Sequence, residues 1–296
     1  MALMFGAAML MPCLDAGAKI LGQTLSPAQV ALFRFGVQTV LLAAILRAFG
    51  RPVLVRAPRT LARLALGGVF MTGATFALFW GLQYLPLANA IVLLFVAPLF
   101  LTLFSAWFLG ERVGPHRYGA VVVGLLGAVI VIRPNFWAFG LAAILPLIAA
   151  ASFAALMCLL RLVRGEVDGF RTQLTTGAFS GLYVGVAVAI GTVFGAPPLT
   201  FVDPPAALWP LILLVGTVGI IGQAMMTFAA RFAETSLIAP FQYFEIFSAT
   251  LLGIVLFNEF PDEMTLLGGG VILTAGLYTI HRERVRQRAR RAAPLG

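Results

Sequence analysis

The sequence predicts an all-α polytopic membrane protein with ten transmembrane helices in two inverted five-helix repeats. This prediction rests on the composition, on the length of the apolar runs and on a segment that recurs after half the chain. Of the 296 residues, 61% are hydrophobic and 10% are charged, and the mean hydropathy is +1.00. A soluble domain of this length has no interior large enough for so much apolar surface. The apolar runs are continuous, whereas the strands of a membrane β-barrel alternate apolar and polar residues.

A helix that spans a bilayer needs roughly 20 mainly apolar residues, and Gly, Pro and charged clusters mark the breaks between such runs. We therefore predict ten helices, called segments 1 to 10. They cover residues 2–22, 27–49, 61–83, 87–110, 115–132, 140–163, 170–194, 207–232, 235–258 and 264–281. The connections between them are short, so no soluble domain fits between the helices.

One stretch of the chain occurs twice. Residues 88–111 and 236–259 both start with small and polar residues, continue as an apolar body with one proline, and close on a glutamate. The closing residues, Glu111 and Glu259, are 148 positions apart, and a glycine-rich run follows each copy. We interpret both glutamates as helix caps or loop partners.

The repeat implies that segments 1–5 correspond to segments 6–10. Because five is an odd number, the second copy crosses the membrane in the opposite direction. The predicted units are residues 1–135, residues 136–281 and a basic tail, 282–296. Inverted repeats are typical of secondary transporters, whose substrate site lies near the membrane midplane between the two halves.

The basic residues indicate the orientation of the chain. All of the 20 Lys and Arg residues except Lys19, Arg34 and Arg133 fall in the loops after segments 2, 4, 6 and 8 or in the tail. Cytoplasmic loops collect basic residues, so both termini are expected in the cytoplasm, with the chain in a bacterial inner (plasma) membrane. The net charge of +9 is then a topology signal and predicts contact with anionic lipid headgroups of the bilayer, not nucleic-acid binding.

Charged residues occur inside the first two segments. Asp15 and Lys19 share a face of segment 1 because they are four residues apart, and Arg34 lies on segment 2. At 1.5 Å per residue, Asp15 and Arg34 lie roughly 10 Å below the same membrane face, so they can form a pair, with Lys19 nearer the surface. Gln38 lies one turn beyond Arg34 on the same face. A structural ion pair, with Lys19 reaching the interface, and a charged cavity lining both remain open.

Glu245 lies near the middle of segment 9, roughly 15 Å from its cytoplasmic end. A charge there is costly and an apolar residue would pack as well, so we expect a functional role. Glu245 would carry a coupling proton or bind the amino group of a substrate, helped by Gln242, by Tyr243 and by Gln223 at a similar depth. The structural alternative is a protonated Glu245 that is hydrogen-bonded between helices.

Aromatic and proline residues complete the predicted site. Trp80 and Tyr84, at the end of segment 3, could line a pocket, but the interfacial aromatic belt is the favoured interpretation of both rings. Pro98 and Pro240 interrupt segments 4 and 9 and are candidate hinges, although membrane helices tolerate such prolines. The sequence contains no metal-ligand spacing, cofactor motif or catalytic signature, so we expect neither an enzyme nor a cofactor.

The chain resembles the ten-helix EamA-type branch of the drug/metabolite transporter superfamily. The resemblance covers essentially the whole chain and is carried by the runs AKI at 18–20, ALFRF at 31–35, APLF at 97–100 and LGER at 109–112. The second half departs from the pattern, since Glu245 and Ile246 stand where the first half has Ala97 and Pro98. The resemblance implies a central cavity lined by segments 1–4 and 6–9, and export of amino acids or related metabolites.

We therefore expect a secondary exporter of small metabolites, with amino acids the preferred class and a proton as the coupling ion. Alternating access of the two repeats would move the cargo, in a monomer or a homodimer. The alternatives are transport of a vitamin such as riboflavin, of a nucleotide derivative or of a drug. A channel or scaffold without active transport is a further alternative.

Overall fold

The computed structural model describes residues 1–110, 114–232 and 240–292; the side chains of residues 134, 135, 230, 231, 283, 284 and 286–292 are not described. Within these ranges nearly all of the chain is helical. Ten helices in the described ranges are long and apolar enough to cross a membrane. This confirms the predicted all-α membrane fold.

The helices are numbered in chain order. They are α1 (Ala2–Leu21), α2 (Pro27–Ala48), α3 (Pro58–Leu82), α4 (Leu87–Leu94), α5 (Ala97–Leu109), α6 (Pro115–Phe139), α7 (Leu145–Leu162), α8 (Gly169–Phe194), α9 (Trp209–Phe232), α10 (Phe244–Phe257) and α11 (Glu263–Ala292). Short 3₁₀ helices cover Gly140–Ile144, Pro197–Leu199 and Ala206–Leu208.

Local chemistry sets several helix boundaries. At the start of α2, the Ser26 hydroxyl accepts a hydrogen bond from the Gln29 backbone N–H at 3.2 Å, and Asp168 caps the first turn of α8 in the same way. These side chains satisfy backbone donors that have no partner inside the helix. α5 ends at Gly110, whose φ of 66° is the left-handed conformation that favours glycine.

α6 is longer than predicted. The sequence predicts an end at Ile132, before the Arg133-Pro134-Asn135 cluster, but the helix runs on to Phe139. A proline removes one backbone hydrogen bond without necessarily ending a membrane helix. The helix ends where Gly140 adopts a φ of 61°. The loop predicted around Pro134 is therefore wrong, and segment 6 consists of the Gly140–Ile144 turn followed by α7.

Segment 4 is divided near its middle. α4 ends at Leu94 and α5 starts at Ala97, because the ring nitrogen of Pro98 cannot donate to the carbonyl of Leu94. The helix is therefore interrupted where the sequence predicts a hinge, although whether it bends during function stays a prediction.

Segment 9 is divided at the position that corresponds to the break in segment 4. Residues 240–242 are helical, Tyr243 forms a turn, and α10 starts at Phe244. Tyr243 lies 148 positions after Phe95, so the two interruptions occupy equivalent positions in the repeat. The start of segment 9 predicted at Thr235, and Glu111 at the end of segment 4, fall outside the described residues.

Corresponding helices of the two halves make corresponding contacts. α1 packs on α9 and α10, and α7, the counterpart of α1, packs on α3 and α5. α3 packs on α8, as α9 packs on α2. The counterparts α2 and α8 pack on each other, and so do α6 and α11. This exchange symmetry is consistent with the inverted repeat.

The two ends of the bundle differ in packing. We call the end near both chain termini the basic end and the other the distal end. α4, in the distal half, is buried at each position from Leu87 to Leu93, whereas α5, in the basic half, buries only Ala97, Leu99 and Ser105. The largest apolar cluster also gathers distal-half residues of α1 to α4. The bundle is therefore closed at its distal end.

Contacts at the basic end agree with the predicted alternation of loops. Arg63 forms a 3.0 Å ion pair with Glu166, which also accepts a hydrogen bond from Thr60. Arg171 donates to the carbonyl of Leu54 at 2.6 Å. The connection between α2 and α3 therefore lies beside the connection between α7 and α8, on one face of the membrane.

Candidate functional site

Charged residues from α1, α2 and α10 converge inside the bundle. Asp15 is only 5% exposed, and Arg34 and Glu245 are partly buried. Asp15 lies close enough to Arg34 and to Glu245 for their charges to interact. No direct hydrogen bond or ion pair joins the three side chains in the described part of the chain. The structure thus places Asp15 and Arg34 near each other without a direct ion pair between them, and places Glu245 beside them.

Two glycines of α9 allow this helix to lie close to α1 and α2 at the depth of Asp15 and Arg34. A methyl group on Gly219 would meet the Leu14 side chain at 2.9 Å and would lie 3.8 Å from Arg34 Nε. A methyl group on Gly222 would meet the Met11 sulfur at 2.6 Å. The small residues therefore hold Asp15 and Arg34 at the junction of α1, α2 and α9.

In the described part of the chain, the guanidinium of Arg34 has one hydrogen-bond partner and one N–H group without a partner. Its Nη1 donates to the Thr75 hydroxyl of α3 at 2.7 Å, and its guanidinium lies 5.7 Å from the ring centroid of Phe79, a distance at which the ring attracts a cation. Its Nε is buried without a hydrogen-bond partner. A buried N–H without a partner is costly, so this donor is available to an anionic group of a ligand.

Thr75 is a site residue that the sequence analysis missed. It lies as far from the distal end of α3 as Arg34 lies from the distal end of α2. The two side chains are therefore at the same depth on neighbouring antiparallel helices. The equal depth of Thr75 and Arg34 on neighbouring segments is the sequence signal that indicates this contact, as it does for Asp15 and Arg34.

Glu245 lies in the first turn of α10, directly after the interruption at Tyr243. One turn further on, Ser248 donates to the Met9 carbonyl of α1 at 2.9 Å, so this face of α10 faces α1. Glu245 itself accepts no hydrogen bond in the described part of the chain. The first turn of a helix has free N–H groups and a positive dipole end, both of which favour a nearby carboxylate.

The rings of Phe95 and Tyr243 are in contact, with centroids 5.2 Å apart. They occupy equivalent positions in the predicted repeat, and under an inverted repeat such residues would touch only beside the two-fold axis. Their contact brings the interruptions of segments 4 and 9 together, as the predicted inverted repeat requires of a central site. Glu245 lies next to this point, and its repeat counterpart Ala97 carries no charge, so the symmetry of the site is broken here.

Gly276 of α11 makes room for Tyr243, since a methyl group on Gly276 would meet the Tyr243 hydroxyl at 2.1 Å. We expect Gly276→Ala to destabilise the protein by about 1 to 3 kcal/mol, the usual cost of overpacking. The Tyr243 hydroxyl is buried without a partner, so Tyr243→Phe is expected to be tolerated and to restore stability to the Gly276→Ala variant. Thermal unfolding in detergent measures both effects. Equal destabilisation of Gly276→Ala with and without Tyr243→Phe would contradict this packing.

Lys19 does not take part in the interior site. Its Nζ forms a 2.5 Å ion pair with Glu259 and donates to the Leu85 carbonyl at 2.8 Å. The other carboxylate oxygen of Glu259 accepts the Leu87 backbone N–H at 2.9 Å, which caps α4 as predicted for this glutamate. Lys19 therefore belongs to an ion network at the distal end of the bundle.

Trp80 and Tyr84 also lie at the distal end. They line a cavity of about 440 Å³ together with Gln23, Gln83 and Thr200. Tyr84 is 46% exposed, and the ring of Trp80 packs against Phe76 with centroids 5.5 Å apart. Both positions agree with the interfacial interpretation, and neither residue reaches the Asp15–Arg34–Glu245 site.

The glutamines predicted to line the cavity have different surroundings. Gln38 is 2% exposed and packs against Gly177 of α8, as expected of a residue between two helices. Gln223 and Gln242 are partly buried and form no side-chain hydrogen bond with Glu245 in the described part of the chain. Their help to Glu245 stays a prediction.

The first half of the chain matches a known family. Residues 1–133 match the EamA-like transporter family. The pseudopaline exporter CntI of Pseudomonas aeruginosa is 28% identical over 268 residues, which cover 88% of this chain and 89% of the relative. The S-adenosylmethionine uptake transporter of Rickettsia bellii is 26% identical over 91% of this chain and 89% of its own length.

Further comparisons agree with these. The riboflavin transporter of Rhizobium johnstonii is 31% identical over 209 residues, which cover 70% of this chain and 66% of the relative. One crystal structure shares the fold over 95% of this chain and 98% of its own chain, with a TM-score of 0.62 and 21% identity. Together with the ten membrane-spanning helices, these matches show that the chain belongs to the drug/metabolite transporter superfamily, in its EamA-type branch.

Proposed function

We propose that this chain is a secondary exporter of small metabolites that carry both an amino and a carboxylate group, with amino acids the preferred class. One observation carries the proposal: Asp15, Arg34 and Glu245 gather in a bundle interior where apolar residues would pack at lower cost. Two carboxylates and one guanidinium offer charge-assisted hydrogen bonds to an ammonium and to a carboxylate of one cargo. The free Nε of Arg34 supplies the donor for the carboxylate.

The architecture around these residues supports alternating access. Interrupted helices at the midplane are typical of transporter binding sites, and here the interruptions meet at Phe95 and Tyr243. The distal end is closed while the basic half is less tightly packed, so the cargo would enter from the basic end. With that end in the cytoplasm of a bacterial cell, the same step starts export. The three charged residues come from one chain, so a monomer is sufficient for binding.

The named relatives support small-molecule transport but divide on direction, since they include both an exporter and uptake transporters. S-adenosylmethionine is an amino acid with an additional positive charge and is therefore a useful probe for a site with two carboxylates. Riboflavin is uncharged, and its recognition does not require buried charges. These two ligands distinguish an aminocarboxylate site from a flavin site.

The test is transport by the purified protein in proteoliposomes, with radiolabelled amino acids, S-adenosylmethionine and riboflavin as probes. We expect saturable exchange of an amino acid or S-adenosylmethionine, and concentrative uptake when a pH gradient is imposed. Asp15→Asn should reduce both, whereas Glu263→Gln, at the exposed start of α11, serves as a matched control. Saturable riboflavin transport that is insensitive to Asp15→Asn would favour the flavin alternative, and non-saturable flux would indicate a channel.

A further inference from the structure

The helices α2, α3 and α8 pack on one another, and we call their shared contact the three-helix junction. Arg34 lies at the edge of this junction. Its Nη1 donates to Thr75 of α3, and its Nε lies 3.8 Å from the position of a methyl group on Gly219 of α9. The arginine therefore connects the junction with the interior site. The inference below rests on the proposed proton-coupled transport and concerns the route of the proton.

Polar side chains follow one another inside the junction from Arg34 towards the basic end. Thr72 lies one turn from Thr75 on α3 and donates to the Ser180 carbonyl of α8 at 3.4 Å. The Ser180 hydroxyl is fully buried and donates to the Thr176 carbonyl at 2.9 Å. Thr176 lies seven residues after the start of α8, so these groups extend to within about 10 Å of the basic end.

α2 adds an amide and a hydroxyl to this end of the junction. A methyl group on Gly177 of α8 would lie 2.9 Å from the Gln38 amide nitrogen and 3.9 Å from the Thr39 hydroxyl. Gly177 directly follows Thr176, which is 5% exposed. All these polar groups therefore lie between the three helices. We call them the polar row, which consists of Gln38, Thr39, Thr72, Thr176 and Ser180.

Two hydroxyls of the polar row differ from those of other helix threonines. Thr192, Thr250 and Thr279 donate to the carbonyl four residues earlier, which satisfies a hydroxyl within its own helix. The hydroxyls of Thr39 and Thr176 are buried and have no hydrogen-bond partner in the described part of the chain. Buried polar groups without a protein partner typically bind internal water. These two hydroxyls therefore suit the polar row to a chain of water molecules.

An apolar cluster closes the polar row at the basic end. It consists of Leu42 and Leu46 of α2 and Leu174 of α8, which are 1%, 3% and 4% exposed. Leu42 lies one turn from Gln38, and Leu174 lies two residues before Thr176, so the cluster directly follows the row. An apolar constriction excludes water and ions until it widens. We call this cluster the apolar plug.

We propose that the three-helix junction holds a chain of water molecules that carries the coupling proton between the basic end and Asp15, with the apolar plug as its gate. The proton moves along water and the hydroxyls of the polar row, and the Asp15 carboxylate accepts it. The charged and titratable groups that interact with Asp15 are Cys13, Arg34 and Glu245 in the described part of the chain.

The charges of the interior site favour this direction. Asp15 and Glu245, when both are ionised, carry two negative charges against the single positive charge of Arg34. The site as a whole therefore attracts a proton although Arg34 alone would repel it. The proton has a route of its own, which the apolar plug seals while the plug is intact.

The first test measures water access to the junction and requires no cargo. Cys13 and Cys158, the two cysteines of the chain, are replaced by Ala, and Thr176→Cys introduces a thiol into the polar row. Ag⁺ is small, enters narrow water-filled paths and binds thiols. The rate at which it prevents later maleimide labelling of the unfolded protein reports access. We expect slow reaction with the plug intact and a several-fold faster reaction in Leu174→Ala and in Leu42→Ala.

Two plug variants are used because a Leu→Ala change in a packed cluster is destabilising, and either one that folds is sufficient. Thr274→Cys is the matched control, since Thr274 is exposed in the middle of the membrane-spanning part of α11. It should stay unreactive with or without the plug. Equal rates for Thr176→Cys with and without the plug would overturn the plug as the gate. No reaction in any variant would overturn the water chain.

The second test measures the role of the polar row in coupling. Thr39→Val combined with Thr176→Val removes two hydroxyls, and no hydrogen bond to them is lost in the described part of the chain. We expect uptake driven by a pH gradient to fall several-fold, while exchange of labelled for unlabelled cargo stays near the wild-type rate. Thr274→Val, which removes a hydroxyl that donates to the Gly270 carbonyl, serves as the control.

Loss of both transport modes, or of neither, in the double variant would overturn the proton route. The reaction with Ag⁺ does not depend on which cargo is carried. A failure of the proposed function in transport assays therefore leaves the result for water access interpretable.

Discussion

Replacing Glu245 with glutamine is expected to abolish gradient-driven transport in proteoliposomes while the protein remains folded. Glutamine has nearly the same size and keeps a hydrogen-bonding oxygen, so the main change is the loss of a titratable charge. A hydrogen bond to a charged group contributes about 1.5 to 3 kcal/mol, which corresponds to roughly 10- to 150-fold in affinity. Thermal unfolding should stay near the wild-type temperature, because no hydrogen bond to Glu245 is lost in the described part of the chain.

Two transport modes distinguish the two roles open to Glu245. If it carries the coupling proton, Glu245→Gln should lose uptake driven by a pH gradient but keep exchange of labelled for unlabelled cargo. If it binds the cargo's amino group, both modes should be lost. The exposed Glu263→Gln variant controls for the general effect of losing one acidic residue. Wild-type rates for Glu245→Gln across a pH series would show that the residue has neither role.

The sequence was sufficient for the membrane fold because hydropathy and segment length depend only on local composition. The repeat offset of 148 residues makes Phe95 the counterpart of Tyr243, and in the structure the centroids of their rings are 5.2 Å apart. What a single sequence does not supply is the direction in which each side chain points around the bundle. The depth of Lys19 in the membrane follows from its position in segment 1. Its partner, Glu259, is identified only once the structure shows which helices are neighbours.

The same limit explains the other differences. Trp80 lies on the expected helix and near the expected depth, but its side chain lines a distal cavity. The orientation of α3, which decides where Trp80 points, is set by the packing of α3 on α7 and α8. The local effect of Pro134 on hydrogen bonding predicts a loop, but a helix of the length of α6 tolerates one missing hydrogen bond. Thr75 was missed because a threonine in a membrane helix has no distinctive pattern of its own.

A structural role and a cargo-binding role of Asp15 and Arg34 predict different results in experiments. We expect Arg34→Met to destabilise the protein by about 1 to 3 kcal/mol, because it removes the positive charge that lies near the buried carboxylate of Asp15. Asp15→Asn combined with Arg34→Met removes both charges and should recover most of that loss. Thermal unfolding of the three variants in detergent measures the pattern.

Transport then decides between the two roles. If Arg34 binds the carboxylate of the cargo, the double variant should regain stability but not transport. Arg34→Lys should also lose most transport, since the single nitrogen of an ammonium cannot occupy both positions from which the guanidinium reaches Thr75 and a ligand. A double variant that regains both stability and transport would show that the pair only holds α1 and α2 together. The cargo's carboxylate would then need another cation, and in the described part of the chain Arg34 is the one that joins Asp15 and Glu245 in the bundle interior.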